Sequence, residues 1–222
     1  MTEDDPRAAL NSAQLFKLKD RFPIQIDLPS HDIREICIKR LLGKSTAGAK
    51  ALGELFDKHG QRLRQDTSLQ DARFYEAGLD RENFINLYPF LPAHFDILLQ
   101  LLSELARSTG GIGLRSAIKI IQDILIDREE GHRPLADAEM GVLVTTVTLY
   151  DALEQDIERA NRSIHNAVKK AFIRFPTGPL HLAVCKTIAL LQILKNMPVT
   201  RHNVASLLQA SVDGASERDA IN

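Results

Sequence analysis

Nothing in this chain is apolar for long enough to span a bilayer. Its richest apolar stretch, LAVCKTIALLQIL, carries Lys186 and Gln192 and reads as a buried helix. The amino terminus, MTEDDPRAAL, is acidic and has no apolar core region, so it does not read as a secretory signal. Cysteine is scarce: Cys37 and Cys185 sit in apolar helical stretches, too few for a disulfide framework, and read as buried thiols of a reducing cytoplasm. Charge of one sign is missing too. With 28 Lys and Arg against 29 Asp and Glu, the net charge is −1, and no polybasic run points to nucleic acid, although a local patch stays open. The seven histidines are scattered, with no His-x-x-x-His or Cys-x-x-Cys pair, and no Gly-x-Ser-x-Gly elbow occurs. A zinc hydrolase and a serine hydrolase are therefore unsupported, and no activity is expected from this chain alone. There is no internal repeat and no low-complexity block.

What is present includes an ambiguous motif, LLGKST at residues 41–46. Its Gly-Lys-Ser resembles the end of a phosphate-binding loop. Such a loop needs a glycine five residues before the Gly-Lys, a buried strand leading in and a helix leading out. Here that position is Ile38, and the residues leading in, DIREICIKRLL, space their apolar side chains as a helix does. The motif reads instead as the frayed end of a helix closed by Gly43.

The apolar periodicity is mostly helical. Phe22, Ile24, Ile26 and Leu28 alternate with polar residues or proline and predict one short strand within 21–30. SHDIREICIKRLLG follows as a helix, capped by Ser30 or by His31 and Asp32. Further helices are expected over AGAKALGELFDKHGQRLRQ, over PAHFDILLQLLSELARS with a stripe of Phe95, Leu98, Leu99, Leu102 and Leu105, and over LRSAIKIIQDILIDREEG. DAEMGVLVTTVTLYDALEQDIERANRSIHNAVKKAF reads as largely helical despite its β-branched GVLVTTVTLY portion. TGPLHLAVCKTIALLQILKNM is helical again, and Thr200 is a natural cap for a last helix. The fold class is mainly α, a helical lid or bundle with one short amino-terminal β-strand. A lone strand is not stable in water, so it wants sheet partners from a larger fold.

Two arginines stand out. Arg21 opens the strand in LKDRFPIQIDL, and Arg115 opens a helix after the glycine-rich break of RSTGGIGLRSAIKIIQ, where Gly113 allows close backbone approach. A guanidinium at a helix start opposes the helix dipole, and an anion between them would satisfy both. The plainer alternative is a surface arginine beside a flexible loop.

LKDRFPIQIDL is similar to the end of an AAA+ ATPase core, and GGIGLRSAIKIIQ to the sensor-2 segment of an AAA+ lid. With NLYPFLPAHFDILLQLLSEL between them, the chain over about residues 15–212 resembles the large P-loop ATPases of bacteriophage-exclusion (BREX) and phage-growth-limitation defence systems. The resemblance implies an internal piece of a much longer protein, since this chain shows no P-loop, no Walker-B run and no sensor-1 strand. It divides the chain into 1–14, disordered or a short helix; 15–45, the last strand and helix of the core; 46–130, a lid-like region; 131–212, a carboxy-terminal helical region; and 213–222, a disordered tail. It implies Arg21 as an arginine-finger candidate, Arg115 with Gly113 as a sensor-2 candidate, and Tyr88, Pro89, Phe90 and Pro92 as shaping the turn that presents the lid helix. For that turn, packing is the simpler role. It implies no cofactor for the chain alone, with ATP and Mg in the full-length relative. The implied partners are proteins or further copies of the chain, with DNA only in the larger assembly and no membrane. Two alternatives remain: a stand-alone helical adaptor, and a helical DNA-binding protein in which TRHNVASLLQ after ILKNMP acts as a helix-turn-helix.

Overall fold

The computed structural model describes residues 30–72, 78–109, 116–126 and 134–221. The strand expected within 21–30 falls outside these residues. Ten α-helices are described: α1 (Ser30–Arg40), α2 (Thr46–Asp66), α3 (Arg81–Leu87), α4 (Pro92–Thr109), α5 (Ser116–Ile126), α6 (Thr146–Ala160), α7 (Arg162–Arg174), α8 (Pro179–Leu194), α9 (Arg201–Leu207) and α10 (Arg218–Ile221). Among the described residues there is no sheet, only an isolated antiparallel bridge between Val142 and Ser211.

Helix α4 is the centre. Pro92 occupies its first turn, where a missing N–H costs nothing. The expected stripe of Phe95, Leu98, Leu99, Leu102 and Leu105 is buried throughout. Ile97 and Leu101 are fully buried as well, so the apolar face is wider than a single stripe and meets helices on several sides. α6, α7 and α8 pack on one another, and α6 and α8 also contact α4. The main core runs from Ile33 and Cys37 on α1, through α4, α5, α6 and α8, to Leu207 and Leu208 at the end of α9. A smaller cluster joins Leu52, Phe56 and Leu63 of α2 to Phe84, Leu91, Leu143 and Val212.

Local chemistry fixes the helix starts. Asp80 accepts from the Asn83 N–H at 2.7 Å to begin α3. Thr200 accepts from Asn203 at 3.1 Å to begin α9, the cap read from the sequence. Thr145 and Thr148 cap α6 reciprocally. Gly53 on α2 is set by a close approach. A Cβ there would lie 2.0 Å from the Arg81 guanidinium, which crosses α2 to pair with Asp57 at 3.0 Å.

Two segments differ from the sequence reading. The stretch DAEMGVLVTTVTLY is not α-helical up to Thr145; a 3-10 turn closes at Asp137, the strip after Gly141 is extended as far as Thr145, and α6 starts at Thr146. Its β-branched side chains suit that extended path. The continuation into α7 breaks at Asn161, whose backbone leaves helical geometry at φ −140 and ψ 62. Within 213–222, expected as a tail without order, the described residues include α10. The Arg218 guanidinium there donates to the carbonyls of Gln65 at 2.7 Å and Asp66 at 3.2 Å, completing the carboxy-terminal end of α2.

Candidate functional site

Gly43-Lys44-Ser45 is an ordered joint between α1 and α2 rather than a frayed end. The Ser45 hydroxyl accepts from the Gly48 N–H at 3.1 Å and caps α2. The Lys44 ammonium donates to the carbonyls of Asn86 at 3.1 Å and Tyr88 at 2.8 Å. Those carbonyls lie at the carboxy-terminal end of α3, where a helix leaves acceptors unsatisfied and its dipole favours a cation. Both polar side chains that a phosphate cradle would use are therefore committed to the fold, and LLGKST does not fit a nucleotide.

The Lys44 contact leads directly into the Tyr-Pro-Phe-x-Pro turn. The Tyr88–Pro89 peptide is cis. The Tyr88 hydroxyl accepts from the Gly141 N–H at 2.8 Å, and the Val144 N–H donates to the Pro89 carbonyl at 3.0 Å. On its other side the same extended strip is held by Leu143 N–H to Ala210 O and Val212 N–H to Gly141 O, both at 2.8 Å. Gly141 sits at φ 114, a conformation that favours glycine. Burial raises the Tyr88 phenol above its ordinary range, opposed by the bond from Gly141. Phe90 and Phe95 are fully buried and meet edge to face at 5.8 Å. The turn is thus a packing junction of three distant segments, the simpler of its two sequence readings.

Losing the Lys44 contacts should cost about 1–2 kcal/mol in Lys44→Ala, since two charge-assisted bonds to a helix end disappear. A urea titration of both proteins checks this. Burial pushes the Lys44 ammonium down from its ordinary 10.5 to about 8. Between those values the unfolded chain holds the proton and the folded chain does not, so this group makes stability rise with pH across that window. The gap between wild type and Lys44→Ala should therefore widen from pH 8 to pH 10. A constant gap would contradict the burial of the ammonium.

Beside this junction lies a cleft of about 300 Å³ at the start of α4, walled by Leu69, Leu79, Leu91 and Leu207 with Arg64 and His94. His94 is buried, which lowers its basicity, and its Nε2 meets the Leu207 carbonyl at 3.0 Å. A neutral imidazole in that contact donates through Nε2. Among the described residues, the cleft presents no carboxylate and no activated nucleophile.

A second polar cluster joins α6 to α7. His165 is 1% exposed, with Nε2 3.0 Å from Glu154 and Nδ1 3.6 Å from Glu158. The i, i+4 spacing places both carboxylates on one helix face, and the chain reversal at Asn161 brings the imidazole between them. Nearby, Lys186 on α8 pairs with Asp151 at 2.5 Å, and burial, reinforced by Glu154, Asp151 and Glu158, pushes the Tyr150 phenol up to about 12. The sequence reading missed this cluster, because only the Glu pair was visible along one helix. It clasps three helices. No group of His, Cys, Asp and Glu among the described residues could hold a metal ion.

Arg21, Gly113 and Arg115 lie outside the described residues. The helix that follows the glycine-rich break, α5, is described from Ser116, the next residue after Arg115. The helix-turn-helix alternative meets a direct obstacle. Asn203, Val204, Ala205, Ser206 and Leu207 are all buried, so five of the seven residues of α9 have no face free to enter a DNA groove. No described helix is long and apolar enough to cross a membrane.

No solved structure matches this chain. The family model described as the second domain of the BREX-system ATPase PglY matches residues 34–175, which include α1 from Arg34 onward, α2 to α7, the Lys44 joint and the Tyr-Pro-Phe-x-Pro turn. That match covers more than half of the chain, and the chain belongs to the family of the BREX ATPase PglY second domain.

Proposed function

We propose that this chain is a lid-like helical part of a BREX-system ATPase, relaying the state of a nucleotide whose phosphate cradle lies elsewhere in the longer protein. The observation that best supports this reading is the family match over 34–175, taken together with the commitment of Lys44 and Ser45 to helix ends. In this reading Arg115, just before α5, is the sensor that meets the nucleotide of its own subunit, aided by close approach at Gly113. Arg21 is the arginine finger that reaches a neighbour's nucleotide. Bound ATP and Mg would supply the phosphoryl chemistry; this chain contributes two guanidiniums and a rigid body to move with them. Its partners are then other parts or copies of the ATPase in the cytoplasm, with DNA met only by the larger assembly.

Calorimetric titration of the isolated chain with MgATP should show no tight binding and no turnover; micromolar affinity with hydrolysis would overturn the reading. In the longer ATPase, Arg115→Ala should lower ATP hydrolysis by about tenfold or more, the loss of one charge-stabilising contact. A wild-type rate in that variant would reject the sensor role of Arg115; the second reading is a stand-alone helical adaptor. That second reading draws on the main core, which closes within the chain between Ile33 and Leu208.

A further inference from the structure

Six large apolar side chains are exposed among the described residues, and three of them fall within four positions at the end of α7: Phe172 at 57%, Ile173 at 76% and Phe175 at 41%. Phe175 is held in place by stacking on His181 at 4.8 Å, so the ridge is preformed. The helix that follows is apolar on all sides, with Lys186 its one charged residue. Helices of that composition belong in an interior. Only the second half of α8 reaches one. Ala189, Leu190, Leu191, Ile193 and Leu194 are buried, while Leu180, Leu182 and Val184 nearer the ridge are half-buried.

The charge around the ridge specifies what would cover it. α7 carries Arg162, Lys169, Lys170 and Arg174 and no acidic residue. The neighbouring α6 exposes Asp151, Glu154 and Glu158. A polyanion such as a nucleic-acid backbone or an anionic bilayer would gain from α7 but be repelled by α6. A protein surface with an apolar centre and acidic side chains toward α7 meets no such conflict. The family match ends at residue 175, within the ridge.

We propose that Phe172, Ile173 and Phe175, rimmed by Lys169, Lys170 and Arg174, seat an apolar, acid-rimmed surface of an adjoining domain of the same ATPase. This rests on the reading of the chain as a domain of that ATPase. Amine acylation with mass-spectrometric readout tests it, in the isolated chain and in the intact ATPase. Lys169 and Lys170 should label about fivefold less in the intact protein, because a packed interface excludes the reagent with the water. Lys50 on α2, whose side chain is 79% exposed, serves as the reference. Ile173→Asp should restore the labelling of both lysines in the intact ATPase while leaving the melting temperature of the isolated chain unchanged. Equal labelling of Lys169 and Lys170 in the two proteins would overturn the proposal. So would self-association of the isolated chain, or its binding to phosphatidylserine vesicles or duplex DNA, if Ile173→Asp abolished it. Arg115→Ala reports separately on the lid reading: tenfold slower hydrolysis with unprotected lysines removes the ridge and leaves the lid.

Discussion

Phe90→Ala is expected to lower the unfolding free energy by about 3–5 kcal/mol, the range for deleting a buried aromatic ring. For a chain of this length the melting temperature should fall by on the order of 10 °C. The site has little freedom to collapse around the lost ring. Phe90 is fully exposed to packing forces and not at all to solvent, with Phe95 edge-on at 5.8 Å. Its backbone N–H is tied to Leu87 O at 2.9 Å, and the preceding Pro89 carbonyl is tied to the Val144 N–H. Phe90→Leu keeps most of the apolar volume and should cost less than about 1.5 kcal/mol. Phe172→Ala removes the same ring from a position 57% exposed and should change stability by no more than about 0.5 kcal/mol. Urea midpoints at constant slope separate the three. If Phe90→Ala unfolded at the midpoint of Phe172→Ala, the turn would not be an anchor of the core.

The comparison of these two phenylalanines marks what could be read from the sequence. Along α4 the apolar spacing alone predicts the buried stripe, because one helix face is a local property of the chain. The cap at Thr200 is local in the same sense, closing onto an N–H three residues on. The Lys44 role is not local. Its acceptors on Asn86 and Tyr88 lie 42 and 44 residues away, and the triplet Gly-Lys-Ser points to phosphate until those carbonyls are in view. Gly141–Val144 illustrates the same limit. Its backbone partners are Pro89, Ala210 and Val212, so an extended path satisfies groups that a helix would have to satisfy within itself. The family was legible from the Tyr-Pro-Phe-x-Pro turn and its amphipathic helix, whereas the exposure of Phe172 and Ile173 depends on where α8 packs. Arg21, Gly113 and Arg115 lie outside the described residues, and their roles rest on the resemblance.

Asn203 carries the second large effect. It is fully buried in α9, and its side chain replaces a missing stretch of secondary structure. Oδ1 accepts from the Gln70 N–H at 2.8 Å, while Nδ2 donates to the carbonyls of Gln70 and Pro198, both at 3.0 Å. Next to it, the Ser68 carbonyl accepts from His202 and Ser206 at 2.9 Å each, so α9 holds the loop leaving α2 through several hydrogen bonds. Asn203→Ala strips three of these and should cost about 2–4 kcal/mol, because it leaves part-buried backbone groups unpaired. Asn203→Asp is the sharper probe, since it changes almost no volume. Its carboxylate can still accept from Gln70 but turns a second oxygen toward two carbonyls. The protonated acid restores one donor, so the folded protein should hold that proton above the ordinary carboxyl range of about 4. An acid whose folded pKa is raised loses stability as pH climbs through the unfolded value. Asn203→Asp should therefore be closer to wild type at pH 4 than at pH 7 in thermal melts. A deficit independent of pH would mean that Nδ2 contributes volume at this position rather than its two hydrogen bonds.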